Sequence, residues 1–175
     1  MKKQHFIVIT VLISLLVISC GKQGPQRPSR WLGKEPELDS TEMALLELNR
    51  QLALSADEQL LQLAQSQEEQ YALYDGGIWV HQIDGGDIDS PAIQFGELCT
   101  IRIRTYNLDG RMLTDTEQTY PIGKFEMPMG VERNIREWHH GARLRMYAPW
   151  YSAYGMKGTE HIPPYENVIF EIDIR

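Results

Sequence analysis

Hydrophobic residues along this chain keep three different rhythms. From 6 to 18 they run interrupted only by Thr10 and Ser14. Between 39 and 74 they recur at helical spacing: Leu45, Leu48 and Leu52, then Leu60, Leu63 and Ala64, with Gln67 and Tyr71 continuing the stripe. Asp39-Ser40-Thr41-Glu42 puts capping residues ahead of the first group, and Ser55-Ala56-Asp57-Glu58 puts them ahead of the second. The spacing therefore predicts two consecutive helices, broken by Gly76-Gly77. Leucine-striped helices of this length more often bury the stripe locally; a partner or dimerisation surface is the alternative.

From residue 78 onwards the period drops to two, the period of half-buried strands. Strands are predicted over 78–83, 100–106, 111–114, 120–123, 144–148 and 168–174. Ile101 and Ile103 share one face of theirs, Arg102 and Arg104 the other. Leu144, Met146 and Ala148 alternate until Pro149, which cannot donate to a ladder. Val168, Phe170, Ile172 and Ile174 form one face of the last strand. Residues 84–87 and Asn107-Leu108-Asp109-Gly110 read as turns. Val131, Ile135 and Trp138, spaced four and three, predict one short helix within 130–141. An antiparallel sheet that must bury a face, with one late helix to cover it, is an α+β arrangement.

The apolar run from 6 to 18 follows Lys2 and Lys3 and is too short for a transmembrane helix, which needs about 20 residues. It ends at Ser19-Cys20. This resembles a bacterial lipoprotein signal, which implies that residues 1–19 are removed and that Cys20 is diacylated as a membrane anchor; an ordinary signal peptide or a single anchor helix is the alternative. Residues 20–38 hold Pro25, Pro28 and Pro36 among polar residues and read as a linker. Cys99 is then the one remaining thiol, so an intramolecular disulfide is excluded; its strand-like surroundings suit a small core residue.

Formal charge is −7, and removing Lys2 and Lys3 leaves 15 basic residues against 24 acidic. Nucleic acid is a poor partner for such a balance. His139 and His140 are adjacent and point about 100° apart on a helix, which is not metal-ligand spacing. Asp84, Asp87 and Asp89 lack the ligand pattern and closing Glu of a calcium loop. No cofactor or metal is expected, and no serine lies in a nucleophile turn.

The segment 141–170 carries the most specific pattern. It reads Gly141-x-Arg143-x-x-Met146-Tyr147-x-Pro149, then Ala153-Tyr154-Gly155, Gly158, Ile162-Pro163-Pro164 and Phe170. In this order and spacing it resembles the FKBP-type peptidyl-prolyl cis-trans isomerases, over about residues 77–175. The resemblance implies a twisted antiparallel sheet wrapped on a short helix, here preceded by a two-helix stalk. It implies the organisation 1–19 signal, 20–38 linker, 39–74 helical segment and 75–175 FKBP-like domain. A lipoprotein with a helical preface is similar to the Bacteroidetes lipoprotein branch, gliding-motility-associated members included.

By the same resemblance, the Tyr154 hydroxyl donates to the substrate carbonyl. Ile162 offers a backbone N–H and an apolar wall, and Phe170 forms the pocket floor. Ile103, Leu113 and Val131 stand where the family has aromatic pocket residues, and Thr114 where it has a carboxylate. Two functions follow. One is a cell-envelope isomerase acting on X-Pro segments of exported polypeptides, lipid-anchored and facing the periplasm from the outer membrane, since Gly21 is not acidic. The other is a catalytically weak chaperone or assembly module. The sequence leaves the oligomeric state open.

Overall fold

A computed structural model describes residues 39–175. The signal segment, Cys20 and the linker lie outside the described residues. The chain divides into two units, Met1–Thr41 and Glu42–Arg175. In the first, Asp39 Oδ1 accepts the Thr41 N–H at 2.7 Å, an N-terminal cap for the helix that follows. None of the described helices is long and apolar enough to cross a membrane.

Helix α1 spans Ser40–Gln65. The two helices expected from the two capping boxes are one. Capping residues start a helix only where the preceding backbone leaves helical geometry. Here Leu52, Ala56 and Leu60 keep one stripe running, while Ser55, Asp57 and Glu58 are exposed in mid-helix. The helix also stops short of Tyr71. Residues Ala72–Tyr74 are strand β1, so the sheet takes in residues that the sequence reading grouped with the helical segment.

The remaining strands are β2 (Ile78–Asp84), β3 (Leu98–Asn107), β4 (Met112–Pro121), β5 (Arg143–Ala148) and β6 (Val168–Ile174). They form one sheet in the order β1-β2-β5-β6-β3-β4, with every neighbouring pair antiparallel. β4 is a single strand of 10 residues where two short pieces were predicted. Its middle, Asp115 to Thr119, is polar and exposed because β4 is an edge strand, and hydrophobic alternation is silent there.

Helix α2 is only Met129–Asn134, continued by a 3-10 turn over Ile135–Glu137. It is shorter than the predicted helix, since Trp138 turns extended and its carbonyl accepts the Ile93 N–H at 3.0 Å. The predicted stripe nonetheless holds: Val131, Ile135 and Trp138 are all buried against the inner face of the sheet. Ile78, Val80, Ile101, Ile103, Leu144, Met146, Phe170 and Ile172 supply that face. Gly130 permits the approach, as a Cβ there would lie 2.3 Å from Ile78 Cδ1.

The outer face is built differently. Register places Trp79, Tyr147, Ile169 and Tyr106 side by side across four strands. Leu60 and Ala64 of α1 pack on this row, with Leu63, Tyr71 and Leu108 at its edges. The neighbouring rows are charged. Arg104 meets Glu171 at 3.2 Å and Asp173 at 2.7 Å, and Arg102 meets Asp115 at 2.7 Å.

Candidate active site

Beyond β5 the chain cannot continue as strand through Pro149, and it folds into a 3-10 turn, Trp150–Ser152. Three bonds fix that turn. Asn167 Oδ1 accepts the Trp150 N–H at 2.9 Å, the Gly155 N–H donates to the Trp150 carbonyl at 2.7 Å, and Ser152 Oγ donates to the Gly76 carbonyl at 2.5 Å. Tyr154, next along, is thereby aimed at the inner end of β3.

A cavity of about 420 Å³ opens there, a size suited to a small ligand or a short peptide segment. Ile103, Met127, Met129, Ala153 and Ile162 give it apolar walls, and Tyr120, Tyr154, Thr114, Thr116 and Thr159 bring hydroxyls. Phe170 is fully buried beneath it, its ring 5.9 Å from that of Tyr154.

The Tyr154 hydroxyl lies 3.0 Å from Thr105 Oγ1, and Thr114 lines the cavity beside it. Burial pushes the phenol above its usual range, and the two threonine hydroxyls pull partly against that. Tyr154 is thus a neutral hydroxyl at physiological pH, able to donate.

Ile162 sits in a tight loop. Gly158 has a φ of +63°, and a Cβ on it would lie 2.2 Å from the Ile162 carbonyl oxygen, so only glycine fits. The Thr159 N–H donates to the Ile162 carbonyl at 2.8 Å, and Thr159 Oγ1 accepts the Ile162 N–H at 3.2 Å. The Ile162 amide, expected to face a ligand, is therefore bonded within its own loop; its side chain still lines the cavity.

Of the six pocket residues named from sequence, Ile103, Tyr154 and Ile162 line the cavity and Phe170 underlies it. Val131 does not line it. It is one of the core residues, fully buried, and the helical wall of the cavity is made by Met127, Pro128 and Met129 just before it. Leu113 is half-buried where the β3–β4 register shifts, and its neighbour Thr114 takes the wall instead.

Against known families, residues 91–175 match the profile described as FKBP-type peptidyl-prolyl cis-trans isomerase. This part of the chain is similar to FKBP-type domains. Solved structures agree on the fold. The peptidyl-prolyl cis-trans isomerase of Pseudomonas syringae pv. tomato superposes with a TM-score of 0.59 at 18% identity, over 86% of this chain and 96% of that one. FkpA from Escherichia coli gives 0.59 at 14% identity, over 77% of this chain and 63% of FkpA. The N-terminal domain of FKBP42 from Arabidopsis thaliana gives 0.54 at 16%, over 62% and 92%. No curated protein sequence matches the chain.

Sequence reasoning missed several residues that line the cavity. Thr116 was legible in principle: it stands opposite Ile103 in register, two residues from Thr114 on the same face. Met127 and Met129 carried no signal, because they lie before and at the first residue of α2, in a segment without periodicity. Thr105 sat unnoticed at the end of an alternating run, in an apolar position of the pattern. The adjacent histidines serve other ends. His139 Nδ1 lies 2.8 Å from the Ser90 carbonyl, and His140 Nε2 lies 2.6 Å from Glu97 Oε1.

Proposed function

We propose that the domain is a working peptidyl-prolyl cis-trans isomerase of the cell envelope, acting on X-Pro segments of exported polypeptides. The observation that carries this reading is the Tyr154 hydroxyl, set above Phe170 in a cavity whose walls are largely apolar. Rotation about a peptide bond is opposed by amide resonance worth about 18–20 kcal/mol. An X-Pro bond populates both isomers, and they exchange over about tens to hundreds of seconds. A catalyst of that rotation needs neither acid nor nucleophile. The planar amide is more polar than the twisted one, so walls such as Ile103, Met127 and Ile162 favour the twisted state over the ground state. A hydroxyl donating to the carbonyl before proline holds the pose. Tyr154 is the hydroxyl with that access.

The wider setting belongs to the same proposal. Cys20 carries lipid and fixes the protein to the outer membrane on its periplasmic side, as in the Bacteroidetes lipoprotein branch. Labelled fatty acid should enter the wild type and be absent from Cys20→Ser; equal labelling of both removes the anchor.

The catalytic reading is tested with a protease-free isomerisation assay on X-Pro peptides, using the chain that begins after Cys20. The wild type should accelerate exchange, and Tyr154→Phe should lower kcat/KM by about tenfold, the worth of one good hydrogen bond. Acceleration untouched by Tyr154→Phe would remove its role. A folded domain without acceleration would favour the second reading, a binding or chaperone module. Leu45, Leu46 and Leu48, exposed on the N-terminal half of α1, speak for that one.

A further inference from the structure

We infer that Thr105 is a positioning residue of this site: its hydroxyl donates to the Tyr154 oxygen from behind and so turns the Tyr154 proton toward the ligand carbonyl. The inference rests on the isomerase reading above and names a further participant in it.

The position of Thr105 is the first argument. On the inner face of β3 it follows Cys99, Ile101 and Ile103, all buried and apolar. Register sets it beside Phe170 of β6, in the row shared with Met146 and Val80. It is 0% exposed. Valine has the same shape and suits a buried strand at least as well. A hydroxyl there is costly unless bonded, and its one side-chain partner among the described residues is the Tyr154 hydroxyl at 3.0 Å.

The second argument is proton counting. A phenol has one proton to give and two lone pairs to fill. Thr105 and Thr114 are paired across β3 and β4, and the Thr105 hydroxyl lies 3.0 Å from that of Tyr154. If Tyr154 gave its proton to Thr105, none would remain for a ligand. With Thr105 donating, a lone pair of the phenol is filled and its proton is left for an acceptor in the cavity. Thr114 and Tyr154 line the cavity, whereas Thr105 lies sealed behind them. The free direction is therefore the cavity. Hydroxyls in series polarise one another, which strengthens the outgoing donor.

The test uses the folded chain that carries Tyr154, with Thr105→Val, Thr105→Ser, Tyr154→Phe and the Thr105→Val/Tyr154→Phe pair. Thr105→Val should lower kcat by about threefold to tenfold with KM changed less than about twofold. Thr105→Ser should restore most of the loss. In the Tyr154→Phe background Thr105→Val should cost nothing further, since the two act as one unit. The 13C resonance of the Tyr154 ring carbon bearing oxygen should move in Thr105→Val and return in Thr105→Ser, a readout that needs no turnover. Equal losses in both backgrounds would overturn the inference. So would a moved carbon resonance with kcat unchanged, which leaves the isomerase reading intact. If Tyr154→Phe itself costs nothing, the role of Tyr154 falls first and that of Thr105 with it.

Discussion

Of the sheet's two faces, the inner one is apolar over most of β2, β3, β5 and β6, and the outer one in a single row. The inner face closes on α2 and the loops around it, which spread over several strands, so almost any inward position there meets another side chain. The outer face is covered mainly by α1, with Tyr71 and Leu108 at the edges. A helix is only about 10 Å wide, little more than the ~7 Å between successive same-face positions along a strand. It shelters Trp79, Tyr147, Ile169 and Tyr106 and leaves the next rows to water, where Arg102, Arg104, Glu171 and Asp173 pair with one another or with Asp115. The difference teaches what α1 is. A stalk would leave the sheet's outer row exposed. Instead, the C-terminal half of α1 completes the domain, while its N-terminal half keeps leucines exposed.

The largest expected effect is on the inner face. Phe170→Ala should destabilise the domain by about 4 kcal/mol, since it removes a fully buried ring and leaves a cavity. Denaturant unfolding would read it as a lowered midpoint with unchanged slope. Leu60→Ala on α1 should cost about 3 kcal/mol, for Leu60 is equally buried. Its use is sharper than its size. If α1 is part of the domain, circular dichroism and tryptophan fluorescence should both shift to the same new midpoint. If α1 melts by itself, the two signals would separate and the comparison drawn above would fail.

The smallest effect is one of pH, away from both faces. His140 Nε2 lies 2.6 Å from Glu97 Oε1, and its Nδ1 lies 3.0 Å from the Arg175 main-chain oxygen. Both neighbours are acceptors, so both nitrogens are satisfied only in the imidazolium. Bonding to Glu97, then to the Arg175 oxygen, raises the His140 pKa. The Gln94 N–H, then His140, lowers that of Glu97. Each sign can be followed. The His140 contribution is complete below its unfolded value of about 6.5 and fades as pH rises through the raised folded value. The Glu97 contribution is complete above about 4.5 and fades as pH falls through the lowered one. The pair therefore stabilises most between these limits. Tm of the wild type relative to His140→Gln should be higher at pH 5.5 than at pH 8.5; equal differences at both would dismiss the ion pair. Partial exposure of both side chains keeps the effect small.

What could be read in advance follows the same division of faces. Inner strands announced themselves, because Leu144, Met146 and Phe170 are buried at alternate positions and period two is how burial is written in a strand. The outer row did not. Trp79, Tyr147 and Ile169 fall at the polar phase of their strands, and only the packing of α1 makes them core. β4 was hidden for the reverse reason, as Asp115 to Thr119 are exposed along an edge. In the site, Tyr154 and Ile162 were legible through their loop motif, which depends on local chain geometry. Met127 and Thr105 were not, since each reaches the cavity through tertiary placement of an otherwise ordinary residue. Val131 was misplaced because a loop of unmarked register precedes α2.

The sheet order also has a consequence for timing. β6, the strand latest in chain order, lies in the middle, between β5 and β3. Until residues 168–174 arrive, β1-β2-β5 and β3-β4 share no strand pairing. A chain emerging from its N-terminus is for that interval two fragments with open edges on β5 and β3, the kind of edge that recruits strands from other chains. Closure then comes in one late step that joins distant parts of the sequence, which favours slow assembly. Such a chain stays threadable until residues 168–174 have been made, and the sheet becomes rigid only when β6 drops into the gap.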